Sequence, residues 1–231
     1  MKKIDVKSYA KVNLTLDVLG KREDGYHDIK SVMQTISLRD DIEIDVGTGK
    51  PWKLLCTDES IPTDERNLAW KAAKVYCDAM NKDPNGLEIR ITKRIPSGAG
   101  MGGGSADVAA LLRILRKAYA PELPTETLER IALTVGSDMP FCVRGGTALA
   151  EGRGEILTDL PPLPSCWIVL AKPAFGIPTP SLFARLHGEE EKHRPDIPGM
   201  MDALRQGDLE GIARRLGNVF EDVLPEDCGE V

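Results

Sequence analysis

Five of the seven residues from Gly98 to Gly104 are glycine, within the stretch PSGAGMGGGSAD at 96–107. A strand-like run, GLEIRITKR, leads into it, and a helix-like run, VAALLRILRKAY, follows without a break. Glycine takes positive φ and lets a ligand approach bare backbone. A glycine loop that opens a helix presents N–H groups at the positive end of the helix dipole, an arrangement suited to phosphate. One glycine would read as a turn or a close helix contact. Five in this setting favour a phosphate cradle made of Pro96, Ser97, Gly98, Ala99, Gly100, Met101, Gly102, Gly103, Gly104, Ser105 and Ala106. Ser105, at the helix start, reads equally as a ligand of phosphate or of a Mg2+-bound water, and as the helix cap.

Three familiar glycine loops fail here. A P-loop needs Lys after its last glycine, and none follows. Gly98, Gly100 and Gly103 satisfy GxGxxG, but the loop lies mid-chain, and Glu122, the acid expected at a strand end, sits in a proline-broken loop. The GxSxG elbow fails because Asp107 stands where its last glycine should be. Two charged residues stand out elsewhere. Asp138, in GSDMPF, sits beside a proline in an expected loop, where Asp most often serves a turn or cap. Lys11 falls on the polar face of an alternating run, the place of a solvated strand lysine.

The elements that position these residues follow from periodicity. Residues 4–9 and 12–19 alternate, with Val12, Leu14, Leu16 and Val18 on one face, and predict two strands. GKREDGYHD predicts a loop; 30–38 and 41–47 predict strands joined by Arg39-Asp40. Asn67 is expected to cap a helix over 68–80, with a turn at Asp83-Pro84-Asn85-Gly86. Val108, Leu111, Leu112, Leu115 and Tyr119 recur at helical spacing, and Pro121 and Pro124 end that helix. A second helix is expected over 125–135, then a loop at SDMPF and a strand-like return through RGGTALAEGRGE. Pro161, Pro162 and Pro164 mark a domain boundary, giving domains 1–160 and 161–231. Beyond it, WIVLAKP predicts a short buried strand, GIPTPS a rigid turn, and 180–187, 197–206 and 208–220 helices. Strands followed by mixed strands and helices indicate an α+β fold.

Composition narrows the function classes. The 231 residues carry 36 acidic and 30 basic side chains, a net charge of −6, which argues against a nucleic-acid surface. No apolar run approaches the roughly 20 residues that span a bilayer. Lys7 and Lys11 interrupt the N-terminal apolar positions, so that segment reads as a strand of the fold, not a leader. The five cysteines contain no CxxC pair and the three histidines are scattered, so reduced thiols in a cytoplasmic protein are expected and a protein-held metal site is not.

The glycine loop resembles the P-x-x-x-G-[LM]-G-[GS]-[GS]-[SA]-A motif of the GHMP kinase superfamily. AKVNLTLDVLGKREDGYHDI (10–29), GSDMPFCVRGGTALAEGRGE (136–155) and GIPTPSLF (176–183) are similar to the superfamily's 4-diphosphocytidyl-2-C-methyl-D-erythritol kinases. The resemblance implies a two-domain fold, with an N-terminal domain like ribosomal protein S5 domain 2 and an α+β C-terminal domain. It implies phosphorylation of an alcohol by ATP with Mg2+, on a small molecule carrying a cytidine diphosphate group, with neither nucleic acid nor membrane as partner, in a monomer or homodimer. Asp138 matches the family's catalytic acid and Lys11 its paired cation; an adjacent cation favours the charged carboxylate. Asn13 matches a substrate-positioning residue, and Tyr26 and Phe183 the aromatic walls of a nucleobase slot. His27 would read the cytosine edge, Thr179 and Pro180 line the same substrate loop, and Asn67 begins the adenine pocket or caps its helix. A third glycine motif, G-S-G-x-[ST], is not found, so the C-terminal domain is expected to be incomplete. Two alternatives stay open: a GHMP kinase for another small alcohol, and a nucleotide-binding member of impaired catalysis.

Overall fold

A computed structural model describes residues 2–49, 51–83, 86–173, 175–186 and 193–225. The expected turn residues Pro84 and Asn85, the end of the predicted 180–187 helix at His187, and Cys228 lie outside the described residues. The strands are β1 (Lys2–Lys21), β2 (His27–Val46), β3 (Lys53–Cys56), β4 (Leu87–Thr92), β5 (Thr147–Gly152), β6 (Ile156–Asp159) and β7 (Gly217–Asn218). The helices are α1 (Leu68–Ala79), α2 (Gly103–Tyr119), α3 (Thr125–Leu133), α4 (Met139–Arg144), α5 (Thr179–Phe183), α6 (Ile197–Gln206) and α7 (Leu209–Ala213), followed by a 3-10 turn at Val219–Val223. The mixed content is that of an α+β protein. Contacts group the chain into two compact units that both draw on β1 and β2: 1–11, 36–96 and 101–144 in the first; 12–35, 97–100 and 145–231 in the second.

In the first unit, β4 pairs antiparallel with the second half of β2, Ile42 opposite Ile91 and Ile44 opposite Ile89, and β3 runs parallel to β4. Alternation sends Ile42, Ile44, Ile89 and Ile91 into one core with the helices. The α2 helix lies deepest: Val108, Leu111, Leu112 and Leu115 are all buried, as their spacing predicts. Burying each such side chain is worth about 1.5–3 kcal/mol. Gly102 precedes α2 in the left-handed region, and Arg116 and Lys117 sit at its negative C-terminal end. Asn67 caps α1 by accepting from the Ala69 N–H at 2.8 Å.

In the second unit, the first half of β2 pairs antiparallel with β5, β5 with β6, and β1 runs parallel to the short β7. The β1–β2 turn closes with the Arg22 N–H on the Tyr26 carbonyl at 2.8 Å, and Gly25 supplies φ +84°. Leu14, Val32 and Leu149 pack with Ile197, Met200, Leu204 and Ile212 of α6 and α7. Asp196 and Asp208 cap those two helices through the Gly199 and Gly211 N–H groups.

Several expectations fail for identifiable reasons. β1 and β2 are each unbroken. The supposed joint at Arg39-Asp40 is strand, because the Asp40 carboxylate is buried and accepts the Arg94 and Ile95 N–H groups. SDMPF is not all loop: α4 begins at Met139, and Pro140 falls in the first turn, where its missing N–H costs nothing. β3 is a short strand without a strong pattern. WIVLAKP is not a buried strand. Trp167 is 98% exposed and Val169 92%, and no ladder among the described residues reaches them. The predicted helix over 208–220 stops at Ala213, since Gly217 joins β1 and Asn218 accepts the Phe220 N–H at 3.1 Å to start a new turn.

Candidate active site

The glycine run ends in the start of α2. The Ala106 N–H makes the first intrahelical bond, to the Gly102 carbonyl at 2.8 Å. No side chain caps the helix, and the first N–H groups of a helix have no intrahelical acceptor. Serine as helix cap is thereby corrected: Ser105 is the third helical residue, and its hydroxyl donates instead to Asp138 Oδ1 at 2.9 Å. Glycine is required where the chain is tightest. A Cβ on Gly102, at φ +64°, would lie 3.0 Å from Lys11 Cγ; one on Gly103 would lie 3.1 Å from Ile95 Cγ2. Gly98 and Gly100 also have positive φ, with open space around them. Pro96, Ser97, Gly98 and Gly100 are exposed, Ala99 is half-buried, and Met101 and Ala106 are buried.

Lys11 is only 8% exposed, so the solvated strand lysine does not describe it. Its backbone N–H donates to the Met101 carbonyl at 3.1 Å, fastening β1 to the run. Asp138 is half-buried, one residue before α4. Its neighbourhood registers on Cys142, whose thiol is pushed up to about 12 by burial and the Asp138 carboxylate, with Lys11 and Arg113 pulling the other way. Lys11, Gly102, Ser105 and Asp138 thus gather in the first unit.

Three groups there escaped sequence reasoning. Arg113, in α2, donates to the Cys142 carbonyl at 2.7 Å, and burial holds its pKa below the usual arginine range. Arg144 grips Glu129 with two bonds of 2.8 Å, tying α4 to α3. Together they hold the short helix that follows Asp138. Lys93, with Asp40, Asp107 and Ser8, forms a buried polar cluster. No linear motif marks such contacts, because the partners lie far apart in sequence.

The second unit holds the aromatic residues. The His27 ring stacks on Phe183 with centroids 4.8 Å apart and planes at 23°. Phe220, unnoticed in the sequence, meets Phe183 edge to face at 4.9 Å. Tyr26 is exposed, with the Arg153 guanidinium 4.8 Å over its ring. Burial and the Lys21 charge lower the His27 pKa, favouring the neutral imidazole. Asn13 is half-buried in β1; Thr179 and Pro180 open α5 and are exposed. Asn67 spends both polar atoms on structure: Oδ1 on its cap and Nδ2 on the Pro62 carbonyl at 2.7 Å. Among the described residues no cluster of three His, Cys, Asp or Glu side chains could hold a metal, and no helix is long and apolar enough to cross a membrane.

Residues 67–146 match the model for the GHMP kinases N terminal domain. The chain is 44% identical over 226 residues to 4-diphosphocytidyl-2-C-methyl-D-erythritol kinase of a Geobacillus species, covering 98% of this chain and 78% of that one. It is 45% identical over 217 residues to the enzyme of that name from Clostridium botulinum, covering 94% and 77%. The crystal structure of 4-(cytidine 5'-diphospho)-2C-methyl-D-erythritol kinase matches with a TM-score of 0.68 and 33% identity, over 92% of this chain and 78% of that one. Homoserine kinase from Cytophaga hutchinsonii, 17% identical with a TM-score of 0.63 over 93% of this chain and 71% of its own, shares the fold alone. The glycine run that opens α2 and the distinctive stretches on either side of it therefore have one family in common, and this chain belongs to the 4-diphosphocytidyl-2-C-methyl-D-erythritol kinases, phosphotransferases of the GHMP kinase group.

Proposed function

We propose that the chain transfers the γ-phosphoryl group of ATP to the 2-hydroxyl of 4-diphosphocytidyl-2-C-methyl-D-erythritol, in the methylerythritol phosphate route to isoprenoid precursors. One observation carries the chemistry: the Ser105 hydroxyl meets the Asp138 carboxylate at the first turn of α2, a helix start with no side-chain cap. Phosphoryl transfer is mostly positioning and charge neutralisation. The N–H groups of Gly103 to Ser105 bind phosphate oxygens. Asp138 accepts the proton of the substrate hydroxyl as general base. Lys11, buried beside Gly102, polarises the substrate hydroxyl.

The donor set suits Mg2+ bound mainly through phosphates, because Ser105 donates its proton to Asp138 and keeps its oxygen lone pairs for a cation. Bound there, Mg2+ would neutralise charge on the transferring phosphoryl group. In the second unit, neutral His27 offers the cytosine edge one donor and one acceptor, Phe183 and Tyr26 supply aromatic faces, and Asn13, Thr179 and Pro180 complete the substrate contacts. The same reading takes a small molecule as the partner, a cytoplasmic location, a monomer or homodimer, and the division into domains 1–160 and 161–231.

Incubation with ATP, Mg2+ and the cytidylated alcohol should yield ADP and a product phosphorylated on the 2-hydroxyl, identified by phosphorus NMR. Absence of that phosphate monoester with folded protein overturns the proposal.

A further inference from the structure

Four buried polar side chains pack against the base of the glycine run, and the chemistry above uses none of them. Lys93 follows β4, and its side chain is 7% exposed. Its ammonium donates to Asp107 Oδ2 at 2.8 Å and to Asp40 Oδ2. The other Asp107 oxygen accepts from Ser8 Oγ at 2.8 Å, and the other Asp40 oxygen accepts the Ile95 N–H at 2.8 Å and the Arg94 N–H. The cluster thus joins β1, β2, the exit of β4 and the first turns of α2, at the point where the chain leaves a strand for the phosphate loop.

Burying three charges is costly, and a well-packed apolar replacement is often as stable. A buried ion cluster is better explained by the geometry it fixes. Here that geometry is close: a Cβ on Gly103 would lie 3.3 Å from Lys93 Nζ, so the first residue of α2 rests against the ammonium. We infer that Lys93 is a positioning residue for the nucleotide phosphates, bridging Asp40 and Asp107 so that the first turn of α2 keeps its amides aligned on the bound anion. The cluster also confines two carboxylates near an anion site. Without Lys93 those carboxylates would repel each other and the incoming phosphates.

The inference rests on the kinase reading, and its test separates the two. A non-hydrolysable ATP analogue with Mg2+ is titrated calorimetrically into wild type, Lys93→Met and Asp107→Asn, and kcat and both KM values are measured. Lys93→Met should weaken analogue binding and raise KM for ATP at least tenfold, with kcat within threefold and KM for the alcohol unchanged. The double variant Lys93→Met/Asp107→Asn, which removes one of the two opposed charges, should recover part of that affinity. If Lys93→Met fails to fold, Asp107→Asn alone decides, with an expected three- to tenfold rise in KM for ATP at unchanged kcat. Folded variants that bind the analogue within twofold of wild type overturn the inference, as does a parallel fall in kcat and both affinities. If wild type binds no ATP analogue, the kinase reading itself falls, and the inference with it.

Discussion

Ser105 Oγ donates a hydrogen bond to Asp138 Oδ1 at 2.9 Å, joining the first turn of α2 to the residue that precedes α4. The bond engages one carboxylate oxygen; in the proposed mechanism the carboxylate takes the substrate proton. Asp138→Asn preserves the shape and removes the proposed base. Turnover should fall by about 10^2–10^4-fold, while an ATP analogue binds within a few-fold of wild type. A variant retaining a tenth of wild-type kcat would remove Asp138 from the role of base.

Gly102 and Gly207 make a matched pair. Both have positive φ, +64° and +65°, but a Cβ on Gly102 meets Lys11 Cγ at 3.0 Å, whereas Gly207 faces open space. Alanine at either site costs roughly 1–2 kcal/mol of backbone strain. Only Gly102→Ala should also displace Lys11 and lower kcat, by about tenfold or more; Gly207→Ala should lower Tm alone. Equal kcat in the two variants would dissociate Lys11 from catalysis.

His27 stacks on Phe183, which Phe220 meets edge to face, in the group proposed to receive the nucleobase. Phe183→Ala should raise KM for the cytidylated alcohol by a factor corresponding to about 1–3 kcal/mol of stacking. KM for ATP should hold. Loss of affinity for ATP instead would reassign the aromatic group to adenine.

Burial pushes the Asp107 pKa up to about 6, Asp40 pushes the same way, and Lys93 and the Ser8 hydroxyl oppose both. Between the ordinary value of 3.8 and about 6, the folded chain holds a proton that the unfolded chain has released. The contribution of this group to stability is therefore greatest at low pH and declines as pH rises through about 6. Asp107→Asn removes the titration. Urea unfolding from pH 4 to 7 should show wild type losing up to about 3 kcal/mol relative to the variant. A difference that stays constant across that range would place the Asp107 pKa near its ordinary value.

Local patterns made the framework legible. The α2 helix, its glycine entry, the Asn67 cap and the alternating apolar faces of β1 and β2 all follow from spacing within one element. The errors arise where distant partners decide. Arg39-Asp40 looks like a strand break until Asp40 is seen accepting the Arg94 and Ile95 N–H groups, more than fifty residues away. Trp167 to Leu170 has strand composition, but among the described residues no ladder pairs with it. At the site, glycine and family motifs pointed to Lys11, Ser105 and Asp138. Lys93, Arg113 and Phe220 carry no signature of their own. Each gains its meaning from a partner on another element.

The specificity of phosphoryl transfer tests the central claim most directly. With ATP and Mg2+, kcat/KM is measured side by side for the cytidylated methylerythritol, homoserine and mevalonate, with ADP and the phosphorylated product both quantified. The predicted result is one phosphate monoester on the 2-hydroxyl per ADP formed, and a preference of at least a thousandfold for the cytidylated alcohol. No phosphoryl transfer to that alcohol, or equal or faster transfer to homoserine or mevalonate, would contradict it.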